Sequence, residues 1–309
     1  MMKPTIEKVV AYITHRGRLL VFRHVDQPEA GIQTPAGTVE PGEDPAQAAL
    51  REGREESGLS DLGLVAWLGE DRQDGAPWGK NAFYHRNFYH LECKAEPPEV
   101  WRAREESPSD HSAEFYEFEL WWCALPDGAQ PELGVPPLAG SQDLFLPQLA
   151  RSLQHAAAMR QCFDLARSAF RKGNHPFGAL LLHQGQVILT AENTIAHDPE
   201  RPGPDVTRHA EMNLVSRAAS TLPPEVLRAC TLVTSTEPCM MCTGAIHWAG
   251  IPEIVYGVRA ETLARLARDP FVLNSRTLLG EGRSPTRVIG PLLEEEGVMA
   301  YQGWEIVNS

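Results

Sequence analysis

The second half of this chain holds four side chains of the types that bind a transition metal and move protons: His209, Glu211, Cys239 and Cys242. One histidine and two cysteines make three ligands. A structural zinc site is closed by four protein ligands, whereas a hydrolytic site uses three and leaves a position for water. No second pair of Cys or His stands at finger-like spacing from Cys239-Met240-Met241-Cys242, so the count is that of an open site. Pro238 precedes Cys239 and the residues beyond read as helix. Both sulfurs then fall in a first turn, where the helix N-terminus favours the metal-binding thiolate. Glu211 follows His209 by two residues, close enough to take a proton from a metal-activated water and pass it to a substrate nitrogen. A lone H-x-E is common by chance, and a lone C-x-x-C serves redox or structural roles. In this order, with Pro238 and strand–helix context at both, they point to hydrolytic metal chemistry.

The first half carries a different constellation. Glu52, Glu55 and Glu56 stand three and four residues apart on a predicted helix and share one face. Like charges there repel by roughly a few tenths of a kcal/mol per pair. A cation relieves that repulsion, and carboxylate oxygens suit magnesium or manganese. A solvated acidic helix face is the competing reading of the same spacing.

The elements that must position these groups are legible in outline. Lys8–Thr14 and Gly17–Arg23 read as strands joined by a tight turn, followed by a Gly/Pro-rich loop and a helix over Pro45–Ser57 closed by Gly58. Leu62–Leu68, Ala82–Cys93 and Phe115–Ala124 are further strands, rich in aromatic and β-branched residues, and 126–140 reads as irregular. Beyond it, helices and strands alternate. A helix carrying Met159, Cys162, Phe163, Ala166 and Phe170 stops at Gly173-Asn174; strands follow at Ala179–Leu182 and Gln186–Leu189. Next come a helix at Arg208–Ala219, a strand at Cys230–Ser235, a helix at Met240–Ala249 and a strand at Ile254–Gly257. That alternation predicts an α/β fold with parallel strand pairs covered by helices.

A length of 309 residues fits two domains, and 42% hydrophobic residues suffice for two cores. The net charge of −13 is uneven: residues 1–150 hold 13 Lys+Arg against 25 Asp+Glu, and residues 151–309 hold 15 against 16. An acidic first half meets a phosphate substrate only through divalent cations. The second half lacks the basic surplus of a polynucleotide binder. Cys93, Cys123, Cys162 and Cys230 are scattered and read as small buried residues of a reducing compartment. There is no run of about 20 apolar residues for a membrane span and no signal-peptide cleavage region near the start, so a cytoplasmic location and no membrane partner are expected.

Over roughly residues 153–309 the chain resembles the cytidine/deoxycytidylate-type zinc deaminases, most closely their guanine, cytosine and tRNA-adenosine deaminase branch. The residues that carry the likeness are His175–Leu182, Ala191–Asn193, Arg208–Asn213 and Thr236–Gly257, with His209-Ala210-Glu211 and Pro238–Cys242 matching the H-x-E and P-C-x-x-C signature. The resemblance implies a three-layer α/β/α domain with zinc on His209, Cys239 and Cys242 and Glu211 as proton shuttle. It also implies that Asn193 hydrogen-bonds the substrate, with Phe177, Gly178, Ala179 and Ala210 lining its pocket, and that this half forms a homodimer. Trp248 is expected as a buried packing residue in preference to a pocket-lining one.

Over residues 5–145 the spacing of Gly37, Glu43 and Arg51–Leu59 resembles the Nudix hydrolase box. That likeness implies an α/β/α sandwich with a mixed sheet. It places magnesium or manganese on Glu52, Glu55 and Glu56, with Glu52 and Glu56 catalytic, Glu43 supporting, Arg51 orienting the glutamates, and Gly37 and Gly58 structural. A general base would come from Glu105, Glu106, Glu114 or Glu117. One departure stands out: Gly53 replaces an aliphatic residue, and glycine inside a helix costs about 1 kcal/mol relative to alanine. A domain that binds a nucleotide without hydrolysing it therefore stays open.

The expectation is a bifunctional hydrolase: a Nudix domain at 1–145, a linker at 146–152, and a deaminase at 153–309 acting on a guanine-, cytosine- or adenine-type base, nucleoside or nucleotide. The rivals are a tRNA adenosine deaminase with an accessory Nudix domain, and a deaminase regulated by a non-hydrolysing one. The near-neutral second half and Glu294-Glu295-Glu296 disfavour tRNA.

Overall fold

The computed structural model describes residues 3–105, 115–125, 135–267, 273–280 and 284–304, and its contacts divide the chain into two compact units, Met1–Leu153 and Gln154–Ser309. The expected base candidates Glu106 and Glu114 lie outside the described residues, as does the side chain of Glu105.

The first unit is built on a mixed sheet. Its strands are β1 (Thr5–His15), β2 (Arg18–His24), β3 (Ile32–Gln33), β4 (Ala36–Thr38), β5 (Leu62–Asp74), β6 (Phe83–Cys93), β7 (Val100–Glu105) and β8 (Tyr116–Ala124). The main path runs β5-β6-β1-β2-β8-β7, with β3 on β2 and β4 on β1. β1 and β6 are parallel; the other pairs are antiparallel. Alternating residues cover both faces. Val9, Ala11, Ile13, Leu20, Phe22 and Leu120 pack on Ala48, Ala49 and Leu50 of α1 (Pro45–Ser57). Val10, Tyr12, Leu19, Val21 and Phe88 pack on Leu146 and Leu149, in the first turns of α2 (Leu146–Arg171). The result is the α/β/α sandwich that the first half implied.

The second unit is a five-stranded sheet in the order β10-β9-β11-β12-β13, comprising β9 (Gly178–His183), β10 (Gln186–Glu192), β11 (Cys230–Thr236), β12 (Glu253–Val258) and β13 (Arg287–Ile289). β11, β12 and β13 run parallel, and β9 is antiparallel to both its neighbours. Leu181, Leu232 and Ile254 bury one face against Ala210, Leu214 and Ala218 of α3 (Ala210–Thr221), Leu227 of α4 (Pro224–Leu227) and Ile246 of α5 (Met240–Trp248). On the other face the Cys162 Sγ of α2 lies 3.3 Å from the Val233 carbonyl. Phe163 fits so closely over Gly257 that a Cβ there would be 2.7 Å from its ring. Two further helices, α6 (Ala260–Ala267) and α7 (Ser275–Leu278), follow β12, and α8 (Glu294–Met299) follows β13. This is the expected three-layer arrangement.

The differences from expectation have physical causes. The segment 146–152, expected as a linker, is helical and opens α2. Its apolar residues Leu146 and Leu149 are fully buried, which a free connection would not allow. β5 runs on to Asp74 because it is an edge strand whose second half, Gly69–Asp74, is polar throughout, with Glu70, Arg72 and Asp74 exposed and Asp71 paired with Arg86, and so lacks an apolar signal. β7 went unread for the same reason: Val100 is exposed and charged residues alternate with the rest. Cys93, Cys162 and Cys230 are buried as expected, while Cys123 is only half-buried. No helix among the described residues is long and apolar enough to cross a membrane.

Candidate metal and acid–base site

Two helix N-termini meet at the end of β11. His209 is the N-cap of α3 and Cys239 the N-cap of α5, with Cys242 in the first turn of α5. His209 Nδ1 lies 3.6 Å from each sulfur, and the two sulfurs lie 3.6 Å apart. A tetrahedral zinc ion with Zn–S near 2.3 Å and Zn–N near 2.0–2.1 Å needs ligand separations of about 3.6–3.8 Å. The triangle therefore fits zinc, by donor type as well as by size. Among the described residues this is the one group of three His, Cys, Asp or Glu side chains whose ligand atoms lie within 4.8 Å of one another. Cys242 is buried, His209 half-buried and Cys239 exposed, so the triangle opens to one side.

The charges around it are arranged for the same purpose. Hydrogen bonding from Cys242 holds the Cys239 thiol down to about 4, against the opposing effect of burial. The proton is retained on Cys242, where that bond, burial and the nearby Glu211 all push the thiol up. A metal held by both sulfurs would require Cys242 to give up that proton. Glu211, in the first turn of α3, is fully enclosed; burial pushes its carboxyl up, and the Thr234 hydroxyl of β11 donates to Oε1. Its Oε2 lies 3.5 Å from Cys242 Sγ, so the carboxylate stands at the edge of the triangle.

Asn193 is completely buried at the end of β10. Its Oδ1 accepts the Ile195 N–H at 3.1 Å, and its backbone N–H donates to the Phe177 carbonyl at 3.0 Å. Among the described residues its Nδ2 has no hydrogen-bond partner. A buried donor left unpaired costs about 1–3 kcal/mol, so this amide is set up to be satisfied by a ligand. Phe177 is half-buried in a group of rings with His175 (6.4 Å), Tyr301 (5.8 Å) and Trp304 (5.3 Å). Gly178 brings β9 against α2, where a Cβ would lie 2.5 Å from the Cys162 carbonyl. Ala179 and Ala210 are both fully buried in the core cluster of this unit. Trp248 is a correction: it is 86% exposed rather than packed inside. It sits at the last residue of a short helix, past the point where α5 faces the sheet.

Thr234, Tyr301 and Trp304 were not anticipated. Tyr301 shares a hydrogen bond with Thr236 Oγ1 and donates to Ser235 Oγ at 3.2 Å, two residues and one residue past Thr234 respectively. No local motif marks these residues; they meet only through tertiary folding.

In the first unit, Arg51 gathers the carboxylates. Its guanidinium donates to Glu43 (2.9 Å from both Nε and Nη2), Glu52 (2.8 Å), Glu55 (3.1 Å) and the Thr38 carbonyl (2.9 Å). Glu52 is buried over Gly37, where a Cβ would fall 1.8 Å from the carboxyl carbon; only glycine admits that approach. Burial pushes the Glu52 carboxyl up, against the pull of Arg51. Glu56 Oε2 accepts the Ala36 N–H at 3.1 Å, and Glu55 is exposed. The expected trio is thus on one helix, but its oxygens are not gathered into a ligand cluster: Arg51 stands between Glu52 and Glu55. The donor types suit magnesium or manganese, which commonly bind through one or two carboxylates and retained waters. Gly58 closes α1 in the left-handed conformation, with φ of 71°. At Gly53 a Cβ would meet Leu62 and Leu91 at 3.2 Å and Ile13 at 3.4 Å, so the room left by the missing side chain is already filled. Glu117, the described base candidate, pairs with Arg102 at 3.3 Å.

Residues 152–258 match the family model of the cytidine and deoxycytidylate deaminase zinc-binding region, and residues 5–139 match that of the NUDIX domain. A probable cytosine deaminase of Schizosaccharomyces pombe is 36% identical over 154 residues, covering 48% of this chain and 90% of the relative. Guanine deaminase of Bacillus subtilis is 32% identical over 120 residues, covering 38% and 72%. The tRNA(Ile)-lysidine synthase of Deinococcus deserti is 33% identical over 144 residues, 37% of this chain, which spans only 26% of that much longer protein. The ligand triangle with its buried glutamate and the match to these relatives agree: this chain is a hydrolase that belongs to the zinc-binding cytidine and deoxycytidylate deaminase family and carries a NUDIX domain ahead of that half.

Proposed function

We propose that the second unit deaminates a free nucleobase of the cytosine or guanine type, with zinc held by His209, Cys239 and Cys242. The observation that carries this reading is the 3.6 Å triangle of one nitrogen and two sulfurs with a buried carboxylate at its edge. Zinc bound there supplies a Lewis acid that lowers the pKa of a water at neutral pH. The chain's own residues do the rest. Glu211, anchored through Oε1 by Thr234, would use Oε2 to carry one proton from the attacking water to a ring nitrogen, and then a second, from the newly formed hydroxyl, to the leaving amine, which departs as ammonia when the carbonyl forms. The Nδ2 of Asn193 donates to an acceptor on the base, and Phe177 forms an apolar wall beside it. A free base is favoured over tRNA because the second half has 15 Lys+Arg against 16 Asp+Glu, too few cations to hold a phosphate backbone. The naming of relatives as cytosine and guanine deaminases supports the same substrate class. Ammonia release from cytosine, guanine, adenosine, cytidine and an anticodon stem-loop tests it. Turnover of cytosine or guanine is the expected result, and turnover of the stem-loop alone contradicts it.

The first unit, on this reading, hydrolyses a nucleoside diphosphate derivative with magnesium or manganese at Glu52, Glu55 and Glu56, and Arg51 holds the carboxylates in place. The filled space around Gly53 supports an intact helix α1. A second reading, a nucleotide-binding domain that does not hydrolyse, is favoured by one observation: Arg51 already pairs with Glu43, Glu52 and Glu55 and occupies the space between Glu52 and Glu55. Formation of nucleoside monophosphate and sugar phosphate from a nucleoside diphosphate sugar, with and without magnesium, separates the two.

A further inference from the structure

We infer that Asn213 is a positioning residue that sets the substrate-facing amide of Asn193 in register with His209 and Glu211. Asn213 lies on α3, four residues after His209 and two after Glu211, and its backbone N–H donates to the His209 carbonyl at 2.9 Å. Its side-chain Nδ2 donates to the Glu192 carbonyl at 2.9 Å and to Thr194 Oγ1 at 3.0 Å. These are the residues on either side of Asn193. The same nitrogen is 3.4 Å from the Arg208 carbonyl, the residue before His209, and the Thr194 N–H donates to that carbonyl at 3.0 Å. One amide therefore ties the end of β10 to the turn that delivers His209.

Holding the neighbours on both sides fixes the direction in which the residue between them points. Asn193 is fully buried, its Oδ1 occupied and its Nδ2 unpaired among the described residues, so its useful donor has no local partner there to correct its aim. The loop beyond is held separately: Asn174 Oδ1 accepts the N–H groups of Ala196 (3.0 Å) and His197 (2.9 Å). Asn213 alone of the two bridges to the helix that carries His209 and Glu211. A misplacement of about 1 Å between substrate and reacting groups can cost on the order of a hundredfold in rate, which makes such a bridge consequential.

The inference rests on the reading of Asn193 and the metal triangle given above. The test compares wild type with N213D, which keeps the shape but cannot donate, and with N213S as a milder second variant. Cytosine and guanine serve as substrates, with kcat, KM and zinc content measured on the full chain. The expected result is a KM raised between about threefold and tenfold, the loss of one to two hydrogen bonds, with one zinc per chain retained. N193A and the N193A/N213D pair complete a double-mutant cycle, and the two effects should be far from additive because one residue acts through the other. A folded N213D or N213S with wild-type KM, or fully additive effects, overturns the inference. A wild type that releases no ammonia from either base overturns the reading of the site on which it rests.

Discussion

Glu211 Oε2 stands 3.5 Å from Cys242 Sγ, while the Thr234 hydroxyl holds the other oxygen of the same carboxylate. The proposed acid–base group and a proposed metal-binding sulfur are thus neighbours in space, although 31 residues separate them in the chain. Their juxtaposition comes from packing α3 beside α5 on one face of the second sheet.

Replacing the acid while keeping its shape should separate chemistry from metal binding. E211Q is expected to lower kcat for deamination by about 10²–10⁴-fold, the usual worth of a positioned proton carrier. Zinc content should stay at one per chain, because none of the three ligand atoms is altered. Retained turnover in E211Q would assign the proton transfer elsewhere.

The two activities should fail separately. E56Q is expected to remove magnesium-dependent hydrolysis of a nucleoside diphosphate sugar while leaving ammonia release within about twofold of wild type. E211Q should do the reverse. Measuring both reactions on both variants decides the matter, and loss of both from either change contradicts independent sites.

Packing at Gly53 predicts the sign of a stability change. Leu62, Leu91 and Ile13 already crowd the position, so G53V should destabilise the first unit by about 1–3 kcal/mol, as overpacked cores do. The better helix propensity of a non-glycine residue offsets only part of that. Denaturant unfolding followed by Trp fluorescence measures it; a stabilised G53V would show that the three neighbours yield freely.

His24 predicts an acid sensitivity. Its half-buried ring packs edge-on against Phe118 at 4.9 Å and Tyr116 at 5.4 Å, and burial holds its pKa below the ordinary 6.5, with Glu29 opposing weakly. Below pH 6.5 the unfolded chain takes up a proton that the folded state resists. The stability contributed by neutral His24 is therefore complete above 6.5 and declines as pH falls toward the folded-state value. H24F should lose less thermal stability than wild type between pH 7.5 and 5.5, and an equal loss in both would rule His24 out as a cause.

How much of this was legible in the sequence follows from where each signal resides. His209, Glu211, Cys239 and Cys242 sit in short motifs at helix N-termini, so residue type and spacing alone singled them out. Glu52, Glu55 and Glu56 were legible as one helix face, and the Nudix resemblance assigned Arg51 to orient them, but the placement of its guanidinium between Glu52 and Glu55 was not legible, because rotamers are set by the surroundings. Thr234, Tyr301 and Trp304 reach the site through strand order and the return of the chain after β13, neither of which leaves a local pattern. Trp248 misled because a large aromatic in an apolar helix usually packs inward. The segment 146–152 misled because a helix continuing through a boundary has no cap or breaker to mark it.

The central claim is a zinc ion on one nitrogen and two sulfurs with its fourth position free of protein. X-ray absorption at the zinc edge, with metal content measured on the same purified protein, tests it most directly. One zinc per chain is predicted, with two sulfurs at about 2.3 Å and two nitrogen or oxygen neighbours at about 2.0–2.1 Å. A shell of three or four sulfurs, or a folded protein that takes up no zinc, would contradict it.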